Sequence, residues 1–159
     1  MKTGREPYKN LNHTLHCMKV QIIDSIPFAN RVCPVFKDPR ELDAWLRPQL
    51  KFQLDPKGVE YLQTMQTLFK KKGRGDCDCF VITTLACSIV NGWDDLYIDL
   101  VGYDKKAPVH IYTDITWQGK RRVLDFTNPR YDQERTSGKY GRYKYRQRIP
   151  VRWREWKFN

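Results

Sequence analysis

No apolar run in this 159-residue chain approaches the ~20 residues that a bilayer-spanning helix requires, so a helical membrane protein is excluded. The opening stretch, Met1 to Tyr8, has no apolar segment of the kind a secretory signal carries. A cytosolic or equivalently reducing setting is therefore the expectation. Cysteine is too sparse for a disulfide scaffold: Cys17, Cys33, Cys77, Cys79 and Cys87 are odd in number and scattered, which points to reduced and mostly buried thiols. Histidine is scarcer still, with His13, His16 and His110 the only imidazoles available for base chemistry. Internal repeats and low-complexity linkers are also missing. At 19.0 kDa the length suits one domain that buries roughly two-thirds of its unfolded surface.

Acid is outnumbered, 18 Asp and Glu against 29 Lys and Arg, for a formal net charge of +11. Residues 130–159 supply most of the excess, with ten Lys and Arg against three acids, interleaved with seven aromatics from Tyr131 to Phe158. Such a mixture can track a phosphate backbone and stack bases. It also fits two ordinary strands whose long cations are solvated while the aromatics pack on the core, and this is the preferred reading.

Local patterning is clearest in the middle of the chain. The first 35 residues read weakly, with a strand at Met18–Ile23 and turn chemistry at Pro27 and Pro34. Asp38-Pro39 has the signature of a helix start, cap then proline, and that helix ends before Pro48. Asp55-Pro56 repeats the signature ahead of Val59, Leu62, Met65, Leu68 and Phe69, spaced as on an amphipathic helix that stops at Lys70-Lys71-Lys72-Gly73. Asp76 or Asp78 then caps a helix running to about Asn91-Gly92, apolar enough to be central and buried. Strands follow at Leu96–Tyr103, Val109–Trp117 and Arg121–Phe126, with turns at Asp104–Pro108 and Gln118-Gly119. Two late strands are expected at Tyr143–Arg148 and Val151–Trp153.

The octapeptide Gly73-Arg74-Gly75-Asp76-Cys77-Asp78-Cys79-Phe80 sets a cysteine at a helix start, where unpaired N–H groups and the helix dipole favour thiolate. Two residues along a helix is about 200° of rotation, so Cys77 and Cys79 cannot share one site. Cys77, nearer the free N–H groups, is the candidate nucleophile, and Cys79 is assigned to the packing. A nucleophilic thiol needs a base and an orienting acid. A two-residue turn at Gln118-Gly119 pairs Trp117 with Lys120, which sets His110 and Asp125 as diagonal neighbours on one face of the hairpin, about 7 Å apart in backbone. Asp114, on the same strand as His110, lies roughly 13 Å away at ~3.3 Å per residue, so Asp125 is the better partner. A rival metal site could join Cys77 and Cys79 to His13, His16 or Cys17, but no second pair has the spacing of a zinc knuckle.

Taken in order, Gly75-Asp76-Cys77-Asp78 leading into an apolar helix, Pro108-Val109-His110-Ile111-Tyr112 and Val123-Leu124-Asp125-Phe126-Thr127 resemble the transglutaminase-like branch of the papain-like cysteine enzymes, of bacterial or phage type. The resemblance covers roughly residues 55–129. It implies an α+β fold with a papain-like core, a central buried helix packed on an antiparallel sheet. By the same resemblance Cys77 is the nucleophile, His110 the general base and acid, and Asp125 the orienting carboxylate, with no cofactor and no metal. Cys79 stands where the family commonly has an acid, and the nearest upstream glutamine is Gln66, so the oxyanion role falls to the backbone N–H of Cys77. The implied activity is that of a cysteine peptidase cleaving peptide or isopeptide bonds in a protein or peptide substrate through a thioester, with acyl transfer and deamidation as alternatives. Outside enzymology, the alternatives are a nucleic-acid-binding module acting through residues 130–159 and a virion interaction protein that keeps the fold. A phage source would add the virion to the cytoplasm as a location.

Overall fold

The computed structural model describes residues 11–104, 108–136 and 141–158. Four antiparallel strands form its main sheet, in the order β5-β4-β3-β6, with β3 at Leu96–Gly102, β4 at His110–Trp117, β5 at Lys120–Leu124 and β6 at Tyr145–Pro150. Two helices, α1 (Leu11–Val32) and α4 (Cys77–Val90), pack together against it, so the architecture is α+β. Among the described residues no helix is long and apolar enough to cross a membrane.

Helix α4 is the centre of the core. Twelve of its fourteen residues are buried; Val81, Ile82, Leu85, Ala86 and Ile89 join Met18, Ile22 and Ala29 of α1 and Ile98, Leu100, Ile111, Ile115 and Leu124 of the sheet in one apolar cluster. Two of its buried hydroxyls are satisfied locally: Thr84 donates to the Phe80 carbonyl at 2.6 Å and Ser88 to the Thr84 carbonyl at 2.8 Å. Asn91 ends the helix, and Gly92 at φ +77° supplies the left-handed turn that follows.

The hairpin matches its arithmetic. Trp117 pairs with Lys120 and Thr113 with Leu124, and Gln118 and Gly119 both take positive φ, +50° and +75°, as a tight hairpin turn requires. Helix α2 (Pro39–Leu46) likewise starts as expected, with Asp38 Oδ1 accepting the Glu41 N–H at 3.0 Å.

Four expectations are corrected. Met18–Ile23 is helical: five residues alternate there, but the buried set Thr14, Cys17, Met18, Gln21, Ile22, Ser25 and Ala29 recurs by threes and fours. Pro27 lies inside α1 and makes no turn; it forgoes one helix hydrogen bond in a segment held by α4. Next, the helix predicted from Asp55-Pro56 contains only α3 (Met65–Lys70), because Thr64 caps it and Ser25 Oγ accepts the Met65 N–H at 2.9 Å. Upstream, Asp55 Oδ2 accepts the Tyr61 N–H at 2.5 Å and Gly58 takes φ +74°, which hold residues 55–61 as a loop. Finally, Val151–Trp153 is not a strand: β6 ends at Pro150, and a 3₁₀ turn spans Trp153–Glu155. The turn expected at Asp104–Pro108 includes 105–107, outside the described residues.

A two-stranded parallel ladder, β1 (Lys51–Phe52) with β2 (Arg74–Gly75), leads into α4. Two glycines make it possible. A Cβ on Gly73, at φ +75°, would sit 1.7 Å from the Gln49 carbonyl oxygen, and one on Gly75 would sit 2.8 Å from Leu68 Cδ1 and 2.9 Å from Cys79 Cβ.

Candidate active site

Cys77 is the first residue of α4, with Asp76 at the N-cap in extended conformation. It is half-buried and lines a cleft of about 570 Å³ together with His110, Thr127, Tyr103 and Tyr143. Cys79 is different in kind. It is fully buried, its thiol donates to the Tyr61 carbonyl at 3.2 Å, and burial holds it far above the ordinary thiol range. The assignment of Cys79 to the packing is therefore a property of the fold.

His110 opens β4 and projects its ring toward the loop that follows β5. Its Nε2 lies 2.8 Å from Asp125 Oδ2. The Asp125 carboxylate, 3% exposed, is engaged by further donors: Asn128 Nδ2 at 3.1 Å on Oδ2, and the Thr127 N–H at 3.1 Å and hydroxyl at 2.7 Å on Oδ1. A carboxylate that only accepts fixes the hydrogen on Nε2 of His110, leaving Nδ1 as the basic nitrogen of the neutral ring. Packing reinforces the orientation, with Tyr112 and Tyr143 at ring-centroid distances of 5.7 and 6.3 Å from His110.

Support for Asp125 reaches across the molecule. Arg47, after α2, is held by Asp43 through bonds of 2.8 and 2.7 Å. It donates to the Asn128 carbonyl and lies over the Phe126 ring at 5.0 Å. Asp125 itself closes a local Asx turn, its Oδ1 accepting the Thr127 N–H two residues on, and Asn128 follows within reach of the same carboxylate. The part played by Arg47 had no signal in the sequence.

The wall of the cleft beside Cys77 is acidic. Asp55, Glu60, Asp76 and Asp78 all line it. Burial, followed by the charges of Asp78 and Asp55, pushes Asp76 up to about 7. Burial and a hydrogen bond with Glu60 raise Asp78 well above the carboxylate range, and burial raises Glu60. The sequence concealed this group because Asp55 and Glu60 lie in the loop that reads as helix. Among the described residues, the trio with ligand-type atoms gathered within 4.8 Å is Asp55, Glu60 and Asp76. No such group includes Cys77, Cys79 or Cys17, and His13 and His16 are exposed on α1.

The face of the sheet turned away from α4, the same face of β4 that presents His110 and Tyr112, carries a second polar group, built on Asp99 and Asp114, both fully buried. Arg148 grips Asp114 with bonds of 2.9 and 2.6 Å, and Arg121 reaches Asp99 at 3.0 Å and Asp114 at 3.2 Å. Arg146 and Arg121 both pair with Glu134, at 2.9 and 2.8 Å. Two cations of the basic C-terminal stretch, Arg146 and Arg148, are thus structural, and a third, Arg154, pairs with Asp94 at 2.9 Å.

Neither a family model, nor a curated protein, nor a solved structure matches this chain.

Proposed function

We propose that the protein is a cysteine hydrolase with a papain-like, transglutaminase-like core, acting as a peptidase on peptide or isopeptide bonds. The observation that carries the reading is the 2.8 Å bond between His110 Nε2 and Asp125 Oδ2 on a cleft that Cys77 also lines. In this reading Nδ1 of His110 takes the Cys77 thiol proton as Sγ attacks the substrate carbonyl, and the tetrahedral oxyanion is met by the Cys77 backbone N–H. His110 then protonates the leaving amine as the C–N bond breaks. Water, deprotonated by His110, attacks the thioester, the C–S bond breaks, and the proton returns to Cys77. Asp125 stabilises the imidazolium that forms in each half-reaction. An acyl transferase would use the same residues and differ only in letting an amine, not water, resolve the thioester.

The test is iodoacetamide labelling across pH in the wild type and in Cys77→Ala. Cys77 should be alkylated well below the ~8.5 pKa of a free cysteine, and that low-pH labelling should vanish in the variant. Labelling that is unchanged in Cys77→Ala, or that starts only at alkaline pH, overturns the reading.

A further inference from the structure

The acidic wall of the cleft is more than a cluster of like charges. Asp76 is 9% exposed and Glu60 3%, and Asp76 Oδ1 is buried with no hydrogen-bond partner. None of Asp55, Glu60, Asp76 and Asp78 forms an ion pair with a described residue, although Lys57 and Arg135, both exposed, line the same cleft. Tyr61 donates to Asp55, Cys79 to Asp76, and Glu60 and Asp78 share a bond, but a buried carboxylate oxygen with no donor, in a group with no cation, is costly. The fold accepts this cost at one end of the cleft only, next to the nucleophile proposed above.

The geometry suits one kind of guest. One oxygen from each of Asp55, Glu60 and Asp76 lies within 4.8 Å of the other two. A tetrahedral ammonium that donates three hydrogen bonds of about 2.8–2.9 Å spaces its acceptors roughly 4.6–4.7 Å apart. Such a group meets three carboxylate oxygens, one of them from Asp76, and brings a cation to a carboxylate whose Oδ1 has no donor. The surrounding lining, with Val59, Val109, Tyr103 and Tyr143, offers apolar surface to the chain that carries the charge. A divalent metal is less well served, since calcium takes six to eight oxygens and magnesium a near-ideal octahedron.

We propose that Asp55, Glu60 and Asp76 form a specificity pocket that holds a primary ammonium group of the substrate, from a lysine-type side chain or a free amino terminus, beside the scissile carbonyl. The proposal rests on the hydrolase reading for the meaning of "substrate", while the pocket itself is defined by the carboxylates. A pocket that holds the amine protonated also removes its nucleophilicity, so the bound group is a recognition element and not an acyl acceptor.

Calorimetry on the Cys77→Ala protein reads binding without turnover. The probes are Nα-acetyl-lysine amide, alanine amide and the neutral isostere Nα-acetyl-norleucine amide. One of the two ammonium probes should bind roughly tenfold or more tighter than the neutral one; the lysine probe identifies a side-chain source and alanine amide an amino terminus. That preference should disappear in Cys77→Ala carrying Glu60→Gln, and in a second variant carrying Asp55→Asn, whose loop position spares the core. Equal affinity for all three probes overturns the proposal, as does Mg²⁺ or Ca²⁺ binding that Glu60→Gln abolishes while the ammonium probes show no preference. The two readings fail separately: ammonium selectivity without low-pH labelling of Cys77 removes the hydrolase and keeps the pocket, whereas low-pH labelling without selectivity removes the pocket alone.

Discussion

Two carboxylate clusters among the described residues, one on the sheet and one in the cleft, differ in what surrounds them. On the outer face of the sheet Asp99, Asp114 and Glu134 meet Arg121, Arg146 and Arg148. Burial works against ionisation there, but the bonds from Arg148 to Asp114 and from Arg121 to Glu134 outweigh it, and both acids are held below the usual range. Asp99, which shares a hydrogen bond with Asp114, is the exception and is pushed up to about 7. In the cleft the shifts of Glu60, Asp76 and Asp78 are all upward, and none of them has an arginine. A closed network stabilises a fold; an open one is poised to receive a charge from outside. Activity should therefore track the cleft, and stability should track the arginines.

The largest effect is expected at the carboxylate that belongs to neither group. Asp125→Asn should slow the burst of p-nitrophenol release from p-nitrophenyl acetate by roughly 10²- to 10⁴-fold, read on the folded fraction because the amide also meets the donors that the buried carboxylate accepts. An unaltered rate would remove Asp125 from the proposed chemistry. Next in size, Asp114→Ala takes from Arg148 its carboxylate and from Arg121 one of three and should cost about 3 kcal/mol of unfolding free energy, read by urea denaturation, while the esterase rate of the folded fraction holds. Gly75→Ala forces a methyl against Leu68 and Cys79 and should cost about 1–3 kcal/mol; because this strand leads into α4, the Cys77 labelling profile should move with it.

Smallest is the pH effect. Asp76 titrates near 7 in the folded protein and at its ordinary value in the unfolded chain, so the folded state holds the extra proton and stability falls as pH rises from about 4 to 7. Asp99 adds a slope of the same sign. Asp76→Asn should remove its own share, make the curve shallower in melts across this range, and raise stability above pH 7 by on the order of 1 kcal/mol. A slope unchanged by Asp76→Asn would mean that the cleft acids are as well compensated as those on the sheet.

Local rules made the hairpin and α4 legible. Period-two alternation and a two-residue turn fix register, which is why the pairing of Trp117 with Lys120 carried through to the approach of His110 and Asp125. Helix α1 escaped notice because its buried face includes Thr14, Gln21 and Ser25, polar residues that periodicity counts as exposed. The 55–64 loop escaped for the opposite reason: its apolar spacing is helical, but the Asp55 side chain captures the Tyr61 amide and a helix would have needed that donor. With the loop misread, Asp55 and Glu60 could not be brought to Asp76. Arg47 is a third kind of miss, since a contact to a carbonyl far along the chain leaves no local pattern.

That strut has a consequence in time as well as in space. Ribosomes deliver Arg47 first, Cys77 next, and only later His110, Asp125 and Asn128, so every bond that orients the imidazole waits for the later half of the chain. The contacts that finish the site are long-range, the kind that form late and slowly. A chain cut before His110 thus carries Cys77 with no oriented imidazole beside it, and the reactivity proposed for this thiol waits on the later half of the sequence.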